Sequence, residues 1–154
     1  MSSDLWSFSL DTYARPGVEA ACLTLQSSGI NVCLLLCGLW LAGRGVVCNE
    51  QRLQRLHDVI DPWDAEVVQP LRCLRVQWKT GATADAELHD LREQIKTLEM
   101  EAERHLLLRL ERLALPWPQG EASNLTAWLE GMAAGAAHLD HDALHQLRVA
   151  VSGI

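Results

Sequence analysis

The residues best suited to chemistry stand near one end of the chain, in "HLDHDALH", residues 138–145. His141 and His145 are one helical turn apart, a spacing that chelates zinc, and His138 and Asp142 are further donors. Asp140, however, stands where a helix cap would, and no cysteine or additional histidine is an obvious fourth ligand. The stretch reads as a solvated helix start. Cys33 and Cys37 are also one turn apart, but within an apolar run, where cysteine behaves as a small core hydrophobe. "HDVIDPWDAE" gathers His57, Asp58, Asp61, Asp64 and Glu66, a set that could bind Mg²⁺ or act as acid and base. Asp61 is accounted for as an N-cap before Pro62, and Asp64 as an acid in the first helical turn. Gly43-Arg44-Gly45 follows a helix, not a strand, and has no nucleotide-binding weight. No catalytic set, metal or cofactor is expected.

The elements that would position any site are helical throughout, with no alternating run that makes a strand. The pivotal segment is "INVCLLLCGLWLA", Ile30 to Ala42, which is free of charge. As a helix it reaches roughly 20 Å, short of the ~30 Å hydrocarbon layer of a membrane. Glycines flank it, and a helix apolar on all sides belongs inside a bundle. Asp4 is expected to cap a first helix and Pro16 to open a second. Asn49 caps a fourth helix, and Asp61-Pro62 starts a fifth. That fifth helix carries Trp63, Val67, Leu71, Leu74 and Trp78 on one face, with a kink or break at Pro70. Two short helices follow "PWPQG", near Leu125–Ala137 and His141–Val151, the first beginning at Asn124. The expected fold is an all-α, single-domain bundle of about seven helices with a long helical hairpin over residues 61–113.

Composition narrows the function classes. The chain has 154 residues, 49% apolar and 21% charged, enough for one packed domain. A net charge of −7 repels phosphate backbones and anionic lipid, so neither nucleic acid nor a membrane surface is an expected partner. Five cysteines, an odd number, and an opening "MSSDLWSF" without a basic region point to reduced thiols and a cytoplasmic location.

The long helix, from about Ala84 to Leu113, carries the stripe Leu88, Leu91, Ile95, Leu98, Ala102, Leu106, Leu110 and Leu113. Thirty helical residues span about 45 Å, more than the ~38 Å diameter of a compact globule of this size. The helix must project, bend or be covered. Leu106, Leu107, Leu108 and Leu110 are more apolar than one packed face needs, and Trp117 sits between two prolines. An interface formed by Leu106, Leu107, Leu110, Leu113 and Trp117 is therefore expected.

The first forty residues carry Leu5-Trp6-Ser7-Phe8-Ser9-Leu10, Tyr13 and Arg15-Pro16-Gly17-Val18-Glu19. They continue with Ala21-Cys22-Leu23, Leu25-Gln26, and Asn31 through Leu36 with Trp40-Leu41. This opening resembles an uncharacterised proteobacterial conserved-hypothetical family, a domain of unknown function. Asn31 and Cys33 stand where that pattern has Asp and Asn. The resemblance implies a small bacterial cytoplasmic protein and singles out Tyr13, Arg15, Gln26 and Asn31 as the polar residues of a possible ligand pocket. Two functions are thus expected. The first is a non-enzymatic regulator or adaptor that binds a protein partner, or itself as a homo-oligomer, through the hairpin. The alternative is a small-ligand-binding protein or enzyme that uses the pocket.

Overall fold

Five α-helix starts among the described residues are held by a short polar side chain. In the computed structural model, which describes residues 4–121, 125–134 and 140–152, Asp4 Oδ1 accepts the Ser7 N–H at 2.8 Å and opens α1 (Leu5–Tyr13). Asn31 Oδ1 accepts from Cys33 and Leu34 and opens α3 (Val32–Gly43). Asn49 does the same for α4 (Glu50–Trp63), Asp85 for α6 (Ala86–Ala114) and Asp140 for α8 (His141–Ser152). Each cap satisfies backbone donors that have no partner inside the helix. The helix α7 (Leu125–Ala133) completes the bundle; Asn124, its expected first residue, and His138 lie outside the described residues. All regular elements among the described residues are helical, and with Glu50–Gln77 taken as one continuous helix and the short 3₁₀ turn Gly81–Thr83 set apart they number seven, as expected.

Pro16 does not open α2 (Val18–Ser27). Arg15-Pro16-Gly17-Val18 is instead a type II turn, closed by Val18 N–H donating to Arg15 C=O at 3.2 Å. Gly17 takes the left-handed position such a turn demands, with φ +83°. Proline at the second place and glycine at the third fit a turn better than a helix start.

Helix α3 is the core. Every residue from Cys33 to Ala42 is buried, and α1, α2, α4, α6 and α7 all pack on it. The break expected at Asp61-Pro62 is absent. Helix α4 runs through Pro62 to Trp63 and continues as a π-helical segment, Asp64–Val68, into α5 (Gln69–Gln77). Asp61 therefore caps nothing; it is exposed, 3.4 Å from His57 Nδ1. Trp63 shows why the helix persists: its indole N–H donates to Ala102 C=O on α6 at 2.8 Å, and Arg109 lies 3.9 Å over its ring. The π segment, with Gln69 N–H bonded to Asp64 C=O, shifts the ladder by one residue just before Pro70. A wider turn there accommodates a ring that would clash with the carbonyl four residues back.

After a 3₁₀ turn, Gly81–Thr83, the chain returns as α6, 29 residues and about 43 Å long. Its buried residues, Glu99, Ala102, Leu106, Leu107, Leu110 and Ala114, all lie from the middle of the helix onward. The first half pairs with α5 and projects. The hairpin begins at Glu50, not Asp61, and its partner helix spans 28 residues.

The expected exposed leucine face is overturned. Leu106, Leu107 and Leu110 are 1%, 3% and 0% exposed and belong to the central core; Leu113 is half-buried against it. Both sides of α6 are in use at this level, because α1 and α3 flank it together with α4. Trp117 is buried too, under the Arg52 guanidinium, in a loop seated on the end of α3 by Gly120 N–H donating to Arg44 C=O.

Candidate functional site

Where the projecting hairpin leaves the bundle, a cleft of about 800 Å³ opens between α1, the α2–α3 junction and the two hairpin helices. This lies within the range of small-molecule sites, roughly 300–1,000 Å³. Its apolar lining includes Trp6, Leu10, Ile30, Val32, Leu36 and Val68, and Cys33 also lines it. Of the four polar residues singled out above, Tyr13, Gln26 and Asn31 line it together. Arg15 does not: its guanidinium donates to Ala150 C=O at 3.1 Å and ties the α1–α2 turn to α8.

The hairpin contributes five charged groups: Asp64, which the sequence set aside as a first-turn acid, and Arg72, Arg75, Glu99 and Glu103, which sequence reasoning did not assign to a site. Glu99, only 8% exposed, receives Arg75 Nε at 2.6 Å on one oxygen and Arg72 Nε at 3.1 Å on the other. Burial pushes its carboxyl up, but the Arg75 and Arg72 hydrogen bonds outweigh this and hold it below the usual range. Arg72 also donates from its terminal nitrogen to Glu103 Oε1 at 3.1 Å. Glu103 ends up on the opposite side of its ordinary value. Burial raises it, Arg72 pulls it down, and neighbouring Glu99 pushes it up again. Two carboxylates one turn apart on α6 are thereby driven in opposite directions, which is how acid and base roles become separated in functional sites. Glu103 also bears electrostatically on Tyr13 and, together with Asp64, on Cys33, so these groups surround one space.

Asp64 belongs to the π segment, and such segments recur at functional sites. It accepts amide N–H groups from Asn31 at 3.4 Å and from Gln69 at 3.2 and 3.3 Å. Asn31 thus has two jobs, capping α3 with its oxygen and reaching Asp64 with its nitrogen. A further lining residue is Ser9, 4% exposed, whose hydroxyl has no hydrogen-bond partner among the described residues.

The Cys33 and Cys37 thiols are both buried, and burial pushes each well above the ordinary thiol value. That environment disfavours the thiolate needed for redox or metal chemistry. His141, Asp142 and His145 are exposed on α8, and no cluster of three or more metal-ligating side chains occurs among the described residues.

The arrangement defines an all-α protein with a half-polar, ligand-sized cleft at the foot of a helical hairpin. The chain belongs to a family described as protein of unknown function (DUF2390), whose model matches residues 4–110. Every residue lining the cleft falls inside that span, whereas α7 and α8 lie beyond it. No curated protein and no solved structure matches the chain. No helix among the described residues is long and apolar enough to cross a membrane.

Proposed function

We propose that this chain is a small-molecule-binding protein whose ligand occupies the cleft at the foot of the hairpin. One observation carries this reading: an apolar-lined cavity of about 800 Å³ onto which Tyr13, Gln26, Asn31, Asp64 and Glu103 converge. Apolar walls supply affinity through the area they remove from water, and a few fixed polar groups supply orientation. The test is a thermal-shift screen against a library of small organic metabolites, run on wild type and on Val32→Trp. Val32 is half-buried on the wall, and an indole there fills the space. Ligands that raise the Tm of wild type by several degrees should leave the variant unmoved, while its helicity stays at the wild-type level. Equal shifts in both proteins, or none in either, would overturn the reading.

A second reading is association through the hairpin, moved outward from Leu106–Leu110 to its projecting half. Val76, Leu91 and Leu98 are 60%, 50% and 52% exposed there, and a second copy of the chain is the simplest occupant. Leu91→Asp with Leu98→Asp should then convert a dimer into a monomer by analytical ultracentrifugation, with folding retained. A wild-type monomer at tens of micromolar would sink this reading.

A further inference from the structure

Resting on the ligand-binding reading, we propose that the cleft selects a cation: a primary ammonium carried on a compact apolar body. The basis is which hydrogen-bonding groups already have partners. The two guanidinium charges of the cleft are already met by internal carboxylates. Arg75 gives Nε and a terminal nitrogen to Glu99, and Arg72 gives Nε to Glu99 and a terminal nitrogen to Glu103. A carboxylate or phosphate entering here would meet arginines whose charge Glu99 and Glu103 already compensate, and would lie beside those two carboxylates. The acceptors are the groups with capacity to spare. Glu103 has one oxygen on Arg72, and its other oxygen has no hydrogen bond among the described residues. Asp64 is met by amide N–H groups alone, at 3.2 to 3.4 Å, and no ion pair of the described residues includes it. Across the cleft the charges are Asp64, Glu99 and Glu103 against Arg72 and Arg75, one negative charge in excess.

A second, independent feature points the same way. Ser9 is 4% exposed and lines the cleft, and its hydroxyl lacks a hydrogen-bond partner among the described residues. A buried hydroxyl without a hydrogen bond is costly, and a donor bound in the cleft would remove that cost. Ser9 and Tyr13 stand one turn apart on α1, and the Tyr13 phenol feels the Glu103 charge. An ammonium has three donors and no acceptor, matching carboxylate oxygens plus a hydroxyl lone pair. The apolar body then lies along Leu10, Leu36 and Val68, with the Trp6 ring at the wall.

The experiment is calorimetric titration of the full chain with three probes of one shape: 3-phenylpropylamine, 3-phenylpropanol and 3-phenylpropionate. The amine is expected to bind at least tenfold more tightly than the alcohol, with the carboxylate weakest. Asp64→Asn combined with Glu103→Gln should reduce the amine to the affinity of the alcohol and leave the alcohol unchanged. Ser9→Ala, a variant that keeps every charge, should weaken the amine about threefold, and it decides the matter if the double variant fails to fold. Alcohol and amine binding equally, or the carboxylate binding best, would overturn the cation inference while leaving a ligand-binding cleft. Silence from all three probes overturns the inference as well. Joined to an empty metabolite screen, that silence removes the ligand-binding reading too.

Discussion

Leu35→Asp is expected to unfold the protein. Leu35 is fully buried in the middle of α3, the helix onto which five others pack. The substitution removes the packing of a whole isobutyl group, a loss of about 2–5 kcal/mol for truncations of this kind. It also places a carboxylate inside the buried apolar cluster, which costs several kcal/mol more whether the group ionises or takes up a proton. Against a typical domain stability of roughly 5–15 kcal/mol, the two together consume most of what is available. Far-UV circular dichroism should show the helical signal collapsed, and the protein should pass largely into the insoluble fraction. Leu35→Met, which conserves volume, should lose less than about 1.5 kcal/mol in urea denaturation. A soluble Leu35→Asp protein with wild-type helicity and a cooperative melt would show that α3 is not the centre of the bundle.

That helix was legible because three independent cues agreed: its length, its lack of charge and the glycines around it. The caps were legible for a similar reason. Asp4, Asn31, Asn49 and Asp140 act on backbone donors two or three residues away, so the interaction is local and leaves a local signature. Asp61-Pro62 carried the same signature and capped nothing, because a distant contact decided the outcome. The Trp63 indole reaches Ala102, thirty-nine residues on, and keeps α4 running through the proline. Leu106 and Leu107 were surplus only when α6 was imagined with one neighbour. It has several at that level, and the chain pattern does not say how many helices will surround a given turn.

The cleft was half legible. Tyr13, Gln26 and Asn31 drew notice through the family-like opening, and the fold brings them together. Arg15 was in the same motif, but the type II turn carries it towards Ala150 instead. Arg72, Arg75, Glu99 and Glu103 were missed, since each looked like ordinary helix-surface charge, and Asp64 was weighed in a different set and set aside as a first-turn acid. One signal was available. Glu99 and Glu103 are four apart, Arg72 and Arg75 three apart, and both pairs lie beside the apolar stripes of helices expected to be antiparallel. Opposite charges at matching heights on two such helices predict a ladder across the hairpin, just where one helix face leaves the core.

Glu99→Ala tests that ladder, with an expected loss of about 2 kcal/mol at pH 7. Removing one member of a fully buried ion pair costs about 3–5 kcal/mol. Here Arg72 and Arg75 keep 24% and 30% of their side chains exposed, so water recovers part of the loss. The remainder is specific: two guanidinium groups three residues apart on α5 lose a shared counter-charge and face each other. The pH dependence identifies the cause. The Glu99 carboxyl is held below its ordinary value of 4.5 in the folded protein, so its contribution is complete above that pH. It disappears as the pH falls through the folded value. Glu103 has the reverse sign: raised in the folded state, it favours folding as the pH falls and opposes it as the pH rises through its folded value. Urea denaturation of wild type and Glu99→Ala from pH 7 to pH 3 should therefore show a gap that narrows steadily below pH 4.5. With Glu99 gone, the Glu103 carboxyl loses a repelling neighbour and gains a freer Arg72, so its own titration should move down. A two-dimensional NMR titration of the Glu side-chain carboxyl carbons reads that movement directly. A gap independent of pH would assign the lost stability to packing. A Glu103 titration that stays in place would show that the two carboxylates do not share one electrostatic site.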